Sequence, residues 1–285
     1  MSVRLVRLED LQPREKCALE QKLATFYQAP PSVYHEIADQ AGAQYVAELQ
    51  PFHCDLVRRI EPGMKVLELG CGTAHLCPQV EQAGGWYLGV DHDEQLLQRN
   101  RKLFPRATFL RLGAKVNQQF DVVASLYTLE HVVDPPNYLD TMWKFCNSDG
   151  LIAVICPDFV DGAGIAPSLF YGKTPRRLRQ KVRSMDVADA IEHLVDLFWR
   201  TPRWRRRARA EQPGTFWINL KPRVLSGAPY SIDADAVHLA RLKDIVDWFE
   251  NHGASIVITS HSMKNVPKSV SQFNCYVVAR KPSQK

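Results

Sequence analysis

The sequence has no long hydrophobic segment. None of its apolar runs approaches the ~20 residues that a membrane-spanning helix needs. Charged residues also interrupt positions 1–7, before an apolar signal-peptide core develops. These two absences predict a cytoplasmic protein that does not cross a membrane.

Metal-binding and disulfide motifs are missing too. The seven cysteines are scattered, and no two of them form a Cys-x-x-Cys pair. This spacing is typical of reduced thiols and excludes a zinc ribbon or a disulfide framework as the basis of the fold. Repeats and low-complexity tracts are also lacking, so neither a solenoid nor a disordered chain fits. The 285 residues, 45% of them hydrophobic, predict one globular enzyme domain that carries an insertion.

Positive charge is concentrated in one segment. Residues 173–209 contain twelve Lys or Arg and four acids, a net charge of +8, which leaves −3 for the rest of a chain whose total is +5. Arginines mix there with Trp199 and Trp204. Three interpretations stay open: peripheral contact with an anionic membrane, binding of phosphate groups, or a solvated helix face. No specific nucleic acid is expected as a partner.

Short apolar runs alternate with helical patterns over residues 61–157 and again after residue 237. The runs are continuous, which is typical of strands covered by helices on both faces. The alternation therefore predicts a doubly wound, mostly parallel α/β sheet. The predicted strands are 65–69, 86–90, 108–112, 121–126, 151–156, 255–259 and 274–280, and the predicted helices are 13–28, 32–60, 74–83, 94–104, 136–146, 187–199 and 237–252.

A pair of glycines follows the first of these strands. Val66-Leu67-Glu68-Leu69 leads into Gly70-Cys71-Gly72 and then a helix, the arrangement by which open α/β sheets bind nucleotide-like ligands. Glycines allow a tight turn and a close approach of ligand to backbone. Asp91 ends the next strand, where a carboxylate can accept both hydroxyls of a ribose. This pattern suits both a nicotinamide dinucleotide and S-adenosylmethionine.

Two details separate these cofactors. The third glycine of a dinucleotide-binding loop is replaced by His75. Glu68 would repel a pyrophosphate, whereas it suits the ammonium group of a methionine moiety. The two positions together favour S-adenosylmethionine.

In their order, these motifs resemble those of the class I S-adenosylmethionine-dependent methyltransferases. The matching segments are 66–76, Gly89-Val90-Asp91, 120–125 and Leu129-Glu130-His131-Val132. The resemblance covers about residues 60–160 and, more weakly, 237–281. It implies a Rossmann-like methyltransferase fold whose seven-stranded sheet has an antiparallel last strand, with the methionine end at Glu68 and the ribose at Asp91. An acid usually follows the third strand beside the adenine, but this chain has Gly113 and Ala114 there, which are expected as backbone neighbours only.

The predicted site has ten cofactor-binding residues and one candidate catalytic residue. The ten are Glu68, Gly70, Cys71, Gly72, Asp91, His92, Gly113, Ala114, Ser125 and Tyr127. Cys71 is expected to be a small packing residue and not a nucleophile. His131 is the candidate general base, since the pKa of a histidine lies near neutrality, although a structural role at the following helix is open as well. Tyr27 and Tyr34 either close over the cofactor or simply pack, and no metal is expected.

Three parts of the chain then receive roles. Residues 1–60 are predicted to be a helical N-terminal cap, residues 61–157 and 237–285 the Rossmann-like S-adenosylmethionine-binding domain, and residues 158–236 a basic inserted lid on the acceptor side. The expected reaction is methyl transfer to a hydroxyl of a small-molecule, glycan-like or lipid-linked acceptor. The basic lid predicts an acceptor that is either negatively charged or presented at a membrane. The alternatives are a protein that binds S-adenosylmethionine without catalysis and a dinucleotide-dependent oxidoreductase.

Overall fold

A computed structural model describes residues 5–37, 51–162, 168, 178–227, 231, 233–264 and 266–283. Its strands are β1 (Leu5–Arg7), β2 (Lys65–Leu69), β3 (Trp86–Asp91), β4 (Thr108–Arg111), β5 (Phe120–Leu126), β6 (Cys146–Pro157), β7 (Trp217–Asn219), β8 (Ser255–Thr259) and β9 (Asn274–Arg280). Its α-helices are α1 (Pro13–Gln28), α2 (Pro51–Val57), α3 (Cys77–Gln82), α4 (Glu94–Leu103), α5 (Pro135–Phe145), α6 (Leu178–Arg183), α7 (Val187–Val195), α8 (Thr201–Ala210), α9 (Leu242–Asn251) and α10 (Lys268–Ser271).

Seven strands form the central sheet, in the order β4-β3-β2-β5-β6-β9-β8. Neighbours from β4 to β6 pair in parallel, whereas β9 is antiparallel to both β6 and β8. The predicted seven-stranded, mostly parallel sheet with an antiparallel last strand is therefore confirmed. Because β2, β3 and β5 are adjacent and parallel, the loops that follow them meet at one edge.

Helices cover both faces of this sheet. On one face, Leu67 and Ile152 pack with Met142 of α5 and Phe249 of α9. On the other, alternate positions of the same strands pack against helices α2, α3 and α4, through Val66, Val122, Phe52, Val80 and Leu97. A strand buried on both faces is apolar at most positions, which is why the runs appear nearly continuous in the sequence.

The first sixty residues contain more than helices. Strand β1 pairs antiparallel with β7, so that Leu5 lies opposite Asn219 and Arg7 opposite Trp217. In addition, Leu19 and Leu23 of α1 pack against residues of the insertion. Three residues of the predicted helical cap thus form a strand, because they pair with a segment two hundred residues away in the sequence. Of the predicted helix 32–60, residues 38–50 lie outside the described part of the chain.

The two helices predicted after residue 180 have different bounds in the structure. The helix predicted at 237–252 begins only at Leu242, because the backbone before it is used for pairing: His238 forms a bridge with Ile218, and Leu239 N donates to Trp217 O at 2.9 Å. The helix predicted at 187–199 is longer, since α7 continues through a π-helical turn (Asp196–Arg200) directly into α8. Within the described residues, no helix is long and apolar enough to cross a membrane.

Candidate active site

A cavity of about 770 Å³ lies at the carboxyl ends of β2, β3 and β5. The loops after these strands form its floor. Tyr27 and Tyr34 of the N-terminal segment form another part of the wall, and Asp233 and Asp235 reach it from the insertion. The N-terminal segment, the sheet and the insertion thus all contribute residues to one site.

The glycine loop lies at the centre of the floor. Gly70 has φ +76°, and a Cβ atom there would lie 2.3 Å from the side chain of Thr128, so this position is glycine because of packing as well as backbone conformation. Gly72 has φ +47°, but a Cβ atom there would meet nothing within 4 Å. Its open side forms part of the cavity wall. Asn100 of α4 holds the loop, since its Nδ2 donates to Gly72 O at 2.8 Å.

Asp91 joins the end of β3 to the glycine loop. One carboxylate oxygen accepts a hydrogen bond from Gly72 N at 2.8 Å, and the other accepts from Asp93 N at 3.0 Å. Each oxygen has a second lone pair, so the carboxylate keeps acceptor capacity for hydroxyl groups in the cavity. Asp91 is therefore fixed in position before any ligand binds.

Glu68 is a buried acid beneath the same loop. Only 3% of its surface is exposed, and the hydroxyl of Tyr87 donates a hydrogen bond to its carboxylate. Burial raises the pKa of Glu68 to about 8, the Tyr87 hydrogen bond acts in the opposite direction, and the charge of Asp91 raises it further. A cation next to this carboxyl group would offset the cost of ionising it.

The side chain of Cys71 packs against strand β3. Its sulfur packs so closely on β3 that a Cβ atom added at Gly89 would lie 2.8 Å from it. Burial, together with the nearby charges of Asp91 and Glu68, raises the pKa of the Cys71 thiol well above its ordinary value. A thiol that stays protonated is a poor nucleophile, which agrees with a packing role.

His92, Gly113 and Ala114 line the next part of the cavity, beyond Asp91. The ring of His92 stacks on that of Tyr27, with centroids 6.4 Å apart and planes 20° apart. Burial lowers the pKa of His92. No carboxylate stands at Gly113 or Ala114 to hydrogen-bond an adenine.

The two predicted site residues at the end of β5 differ in placement. Ser125 is fully buried and does not reach the cavity wall, because it points into the layer between the sheet and α5. Its hydroxyl lies 3.1 Å from that of Tyr138, which donates to Leu69 O at 3.0 Å and lines the cavity in its place. Tyr127 does line the cavity, with a left-handed backbone at φ +53°. A non-glycine residue in this conformation is uncommon and often marks a functional site.

His131 lines the same cavity as the glycine loop and lies close to the buried Asp235. Its Nδ1 is 3.2 Å from Asp235 Oδ2. The hydroxyl groups of Tyr27 and Tyr34 donate to the same oxygen at 2.7 Å and 2.6 Å. Asp235 is missing from the residues predicted from the sequence. The sequence offers one indication of this residue, namely two aspartates at positions 233 and 235 that alternate with alanines.

Two further acids surround this histidine. Glu130 is fully buried, and burial raises its pKa well above the ordinary range, with added repulsion from Cys156 and Asp233. Burial likewise raises the pKa of Asp233 to about 6, while the proximity of His131 acts in the opposite direction. Ligand atoms of Glu130, His131 and Asp233 lie within 4.8 Å of one another, a spacing that a cation could bridge. Proton uptake by Glu130 relieves the repulsion inside this cluster.

The charge of the cavity wall is negative. Among the described residues that line it, seven carry carboxyl groups and none is Lys or Arg; the seven are Glu20, Glu68, Asp91, Asp93, Asp134, Asp233 and Asp235. Of the described residues 178–209, none lines the cavity, so their positive charge does not extend into its wall. A wall of this kind suits neutral and cationic ligands.

Comparison with known proteins adds to this geometry. A family profile described as a methyltransferase domain matches residues 43–258. The ubiquinone biosynthesis O-methyltransferase of Ruegeria sp. (strain TM1040) is 31% identical over 97 residues, which are 31% of this chain and 39% of that protein. The corresponding enzyme of Pseudomonas fluorescens (strain SBW25) is 31% identical over 99 residues, or 32% and 43% of the two chains. The matched region thus spans about two fifths of these relatives.

Two solved structures share the fold over most of the chain. The 1,6-didemethyltoxoflavin-N1-methyltransferase of Burkholderia thailandensis, with bound S-adenosylhomocysteine, has a TM-score of 0.55 and 14% identity and covers 96% of this chain and 92% of its own. An S-adenosylmethionine-dependent methyltransferase from Mesorhizobium loti has a TM-score of 0.51 and 15% identity, with coverage of 81% and 98%. The profile match over three quarters of the sequence, the sheet order and the glycine loop show that the chain belongs to the class I S-adenosylmethionine-dependent methyltransferase family.

Proposed function

We propose that the protein transfers the methyl group of S-adenosylmethionine to a hydroxyl of a small-molecule acceptor. The residues on the cavity floor fit this cofactor: Glu68 suits the ammonium group, the open side of Gly72 admits close approach to the backbone, and Asp91 suits the ribose hydroxyls. When bound, S-adenosylmethionine supplies a methyl group on a positively charged sulfur. Ionisation of the buried acid at position 68 is favoured by a neighbouring cation, which S-adenosylmethionine supplies and the pyrophosphate of a dinucleotide does not, and this difference favours a methyltransferase over an oxidoreductase.

His131 is the proposed proton acceptor. It lines the same cavity as the glycine loop, and its Nδ1 faces Asp235 at 3.2 Å. The proton of an acceptor hydroxyl would pass to Nε2, and the carboxylate of Asp235 would stabilise the resulting imidazolium. Tyr27 and Tyr34 hold Asp235 in place by their hydrogen bonds. This contact between His131 and Asp235 inside the cavity is the observation that carries the proposal.

The acceptor is proposed to be neutral. The negative wall gives no support to the anionic acceptor that the basic insertion led us to expect, since no Lys or Arg stands among its described residues. Transfer to oxygen is supported by the local similarity to the ubiquinone biosynthesis O-methyltransferases, whose name assigns them an oxygen acceptor. A cavity of about 770 Å³ has room for a cofactor and a compact second molecule. Neutral phenols and alcohols, including small glycosides, are therefore the acceptors to test.

The experiment is an acceptor screen that measures S-adenosylhomocysteine formation. With an accepted phenol or alcohol, His131→Ala and Asp235→Asn should lower kcat about a hundredfold or more, the usual contribution of a general base. Both should leave the affinity for S-adenosylhomocysteine within about twofold. His252→Ala is the control, because His252 stacks on Trp248 and does not line the cavity. Unchanged turnover of His131→Ala would return this histidine to a structural role, and cofactor binding without any turnover would indicate a non-catalytic binding protein.

A further inference from the structure

The helix at 187–210 presents its apolar side to solvent. Along α7 and the π-helical turn, an outward stripe is formed by Val187, Ile191, Leu194, Val195, Phe198 and Trp199, which we name the apolar face. Phe198 is 72% exposed and Trp199 is 66% exposed. Helices that pack on a protein core show the opposite arrangement. Large contiguous apolar patches on a protein surface mark interaction sites.

Buried polar contacts fix the helix in this orientation. Its inward side carries Asp189, His193 and Asp196, all of them buried. The ammonium group of Lys181, on the neighbouring helix α6, lies 3.2 Å from Asp189 Oδ1, and both side chains are completely buried. Rotating the helix so that the apolar face is buried would move Asp189 away from Lys181. Breaking a buried ion pair in this way costs free energy. The outward apolar stripe is therefore a stable property of the fold.

Arginines flank the apolar face at both ends. Arg179 and Arg183 on α6 are exposed before it, and Arg203 and Arg206 on α8 are exposed after it. Other arginines of the segment contact the protein itself. Arg205 Nε donates to Phe159 O at 3.0 Å, and Arg209 Nε lies 2.8 Å from Asp161 Oδ1. Among the described basic residues, Arg179, Arg183, Arg203 and Arg206 are therefore exposed to a partner at the two ends of the apolar face.

From this arrangement we infer that the apolar face is a peripheral docking site for an anionic lipid surface. An apolar stripe with aromatic residues, bordered by basic side chains, is the pattern of helices that lie in the interface of a bilayer. Phe198 and Trp199 would enter the head-group region, and the flanking arginines would contact lipid phosphates. A second copy of the chain fits less well, because a two-fold dimer through this face would bring the arginines of both copies together. This inference does not rest on the proposed acceptor.

Vesicle flotation with the full chain tests whether the apolar face binds anionic lipid. The protein should float with phosphatidylcholine vesicles that contain phosphatidylglycerol, should float less with phosphatidylcholine alone, and should be released as salt rises. The double variants F198S/W199S and R203E/R206E should each lower the vesicle affinity about tenfold or more. Trp86→Ser is the matched control, because Trp86 is an equally exposed aromatic residue on β3, far along the chain from the apolar face. All variants should keep wild-type affinity for S-adenosylhomocysteine, which shows that they are folded.

Several results would overturn the inference. The inference fails if the wild-type protein does not float with anionic vesicles, or if F198S/W199S floats as the wild type does. It fails equally if Trp86→Ser loses as much vesicle affinity as F198S/W199S. Sedimentation in the absence of lipid tests whether a second copy of the chain binds the apolar face instead. A wild-type dimer that F198S/W199S converts to a monomer would assign the apolar face to a second copy of the chain.

Discussion

In the proposed site, Glu68 should make cofactor affinity depend on pH, because burial raises the pKa of its carboxyl group. With the pKa of the buried carboxyl raised to about 8 from its ordinary 4.5, only about 1% of the ligand-free protein carries an ionised Glu68 at about pH 6. The ammonium group of a cofactor bound beside Glu68 would favour the ionised form. Apparent affinity is reduced by the fraction of competent protein, so binding should tighten about tenfold for each pH unit until about pH 8.

Titration calorimetry with S-adenosylhomocysteine measures this dependence. From about pH 5.5 to about pH 7, where the ligand ammonium stays largely protonated, Kd of the wild type should fall about thirtyfold. Glu68→Gln has the same size and no titratable proton, so its Kd should be weak and nearly flat over the range. Tyr87→Phe removes a hydrogen bond to the ionised carboxylate, and its pH dependence should extend to higher pH. A flat wild-type profile, or the same slope in Glu68→Gln, would refute the role of Glu68.

Stability provides an independent check on the same residue. Because the pKa of Glu68 is higher in the folded protein than in the unfolded chain, folding takes up a proton between about pH 4.5 and about pH 8. The contribution of the neutral carboxyl group to stability is complete below about pH 4.5 and is lost as the pH rises towards 8. The free energy of unfolding of ligand-free wild type should therefore fall with pH relative to that of Glu68→Gln.

Two other predictions concern the loop itself. Asp91→Ala should weaken S-adenosylhomocysteine binding at least about tenfold, since hydrogen bonds to a charged acceptor contribute about 1.5–3 kcal/mol each. Asp91→Asn keeps one acceptor oxygen and should lose less affinity. Unchanged affinity in both variants would mean that the ribose binds elsewhere. Gly70→Ala should lower the free energy of unfolding by about 1–3 kcal/mol because of its positive φ and the 2.3 Å approach to Thr128. Thr128→Ala should recover part of that loss in the double variant, whereas full stability of Gly70→Ala in chemical denaturation would contradict the packing argument.

Local patterns predicted the sheet well because strands buried on both faces consist mostly of apolar residues. The continuous runs at β2, β5 and β6 could be read directly, and the glycine loop followed from its position after β2. The direction of a single side chain is a different matter. Ser125 was expected at the cavity, but the pleat of β5 turns it inward, and Tyr138 of α5 takes its place.

Non-local pairing accounts for what the sequence did not reveal. Strand β1 exists only through β7, and the start of α9 is delayed by the backbone bridge at His238. In the same way, Asp235 comes within 3.2 Å of His131 only because the insertion folds back over the sheet. Patterns within a window of ten or twenty residues carry no information about such contacts.

The most direct test of the account is a comparison of two ligands. Thermal unfolding of the wild type and of Asp91→Ala would be followed with S-adenosylhomocysteine and with a nicotinamide dinucleotide. At a hundredfold excess over Kd, S-adenosylhomocysteine should stabilise the wild type by about 2.7 kcal/mol, and the dinucleotide should have no effect. The shift should shrink in Asp91→Ala at the same ligand concentration. A shift with the dinucleotide and none with S-adenosylhomocysteine would contradict the proposed methyltransferase activity.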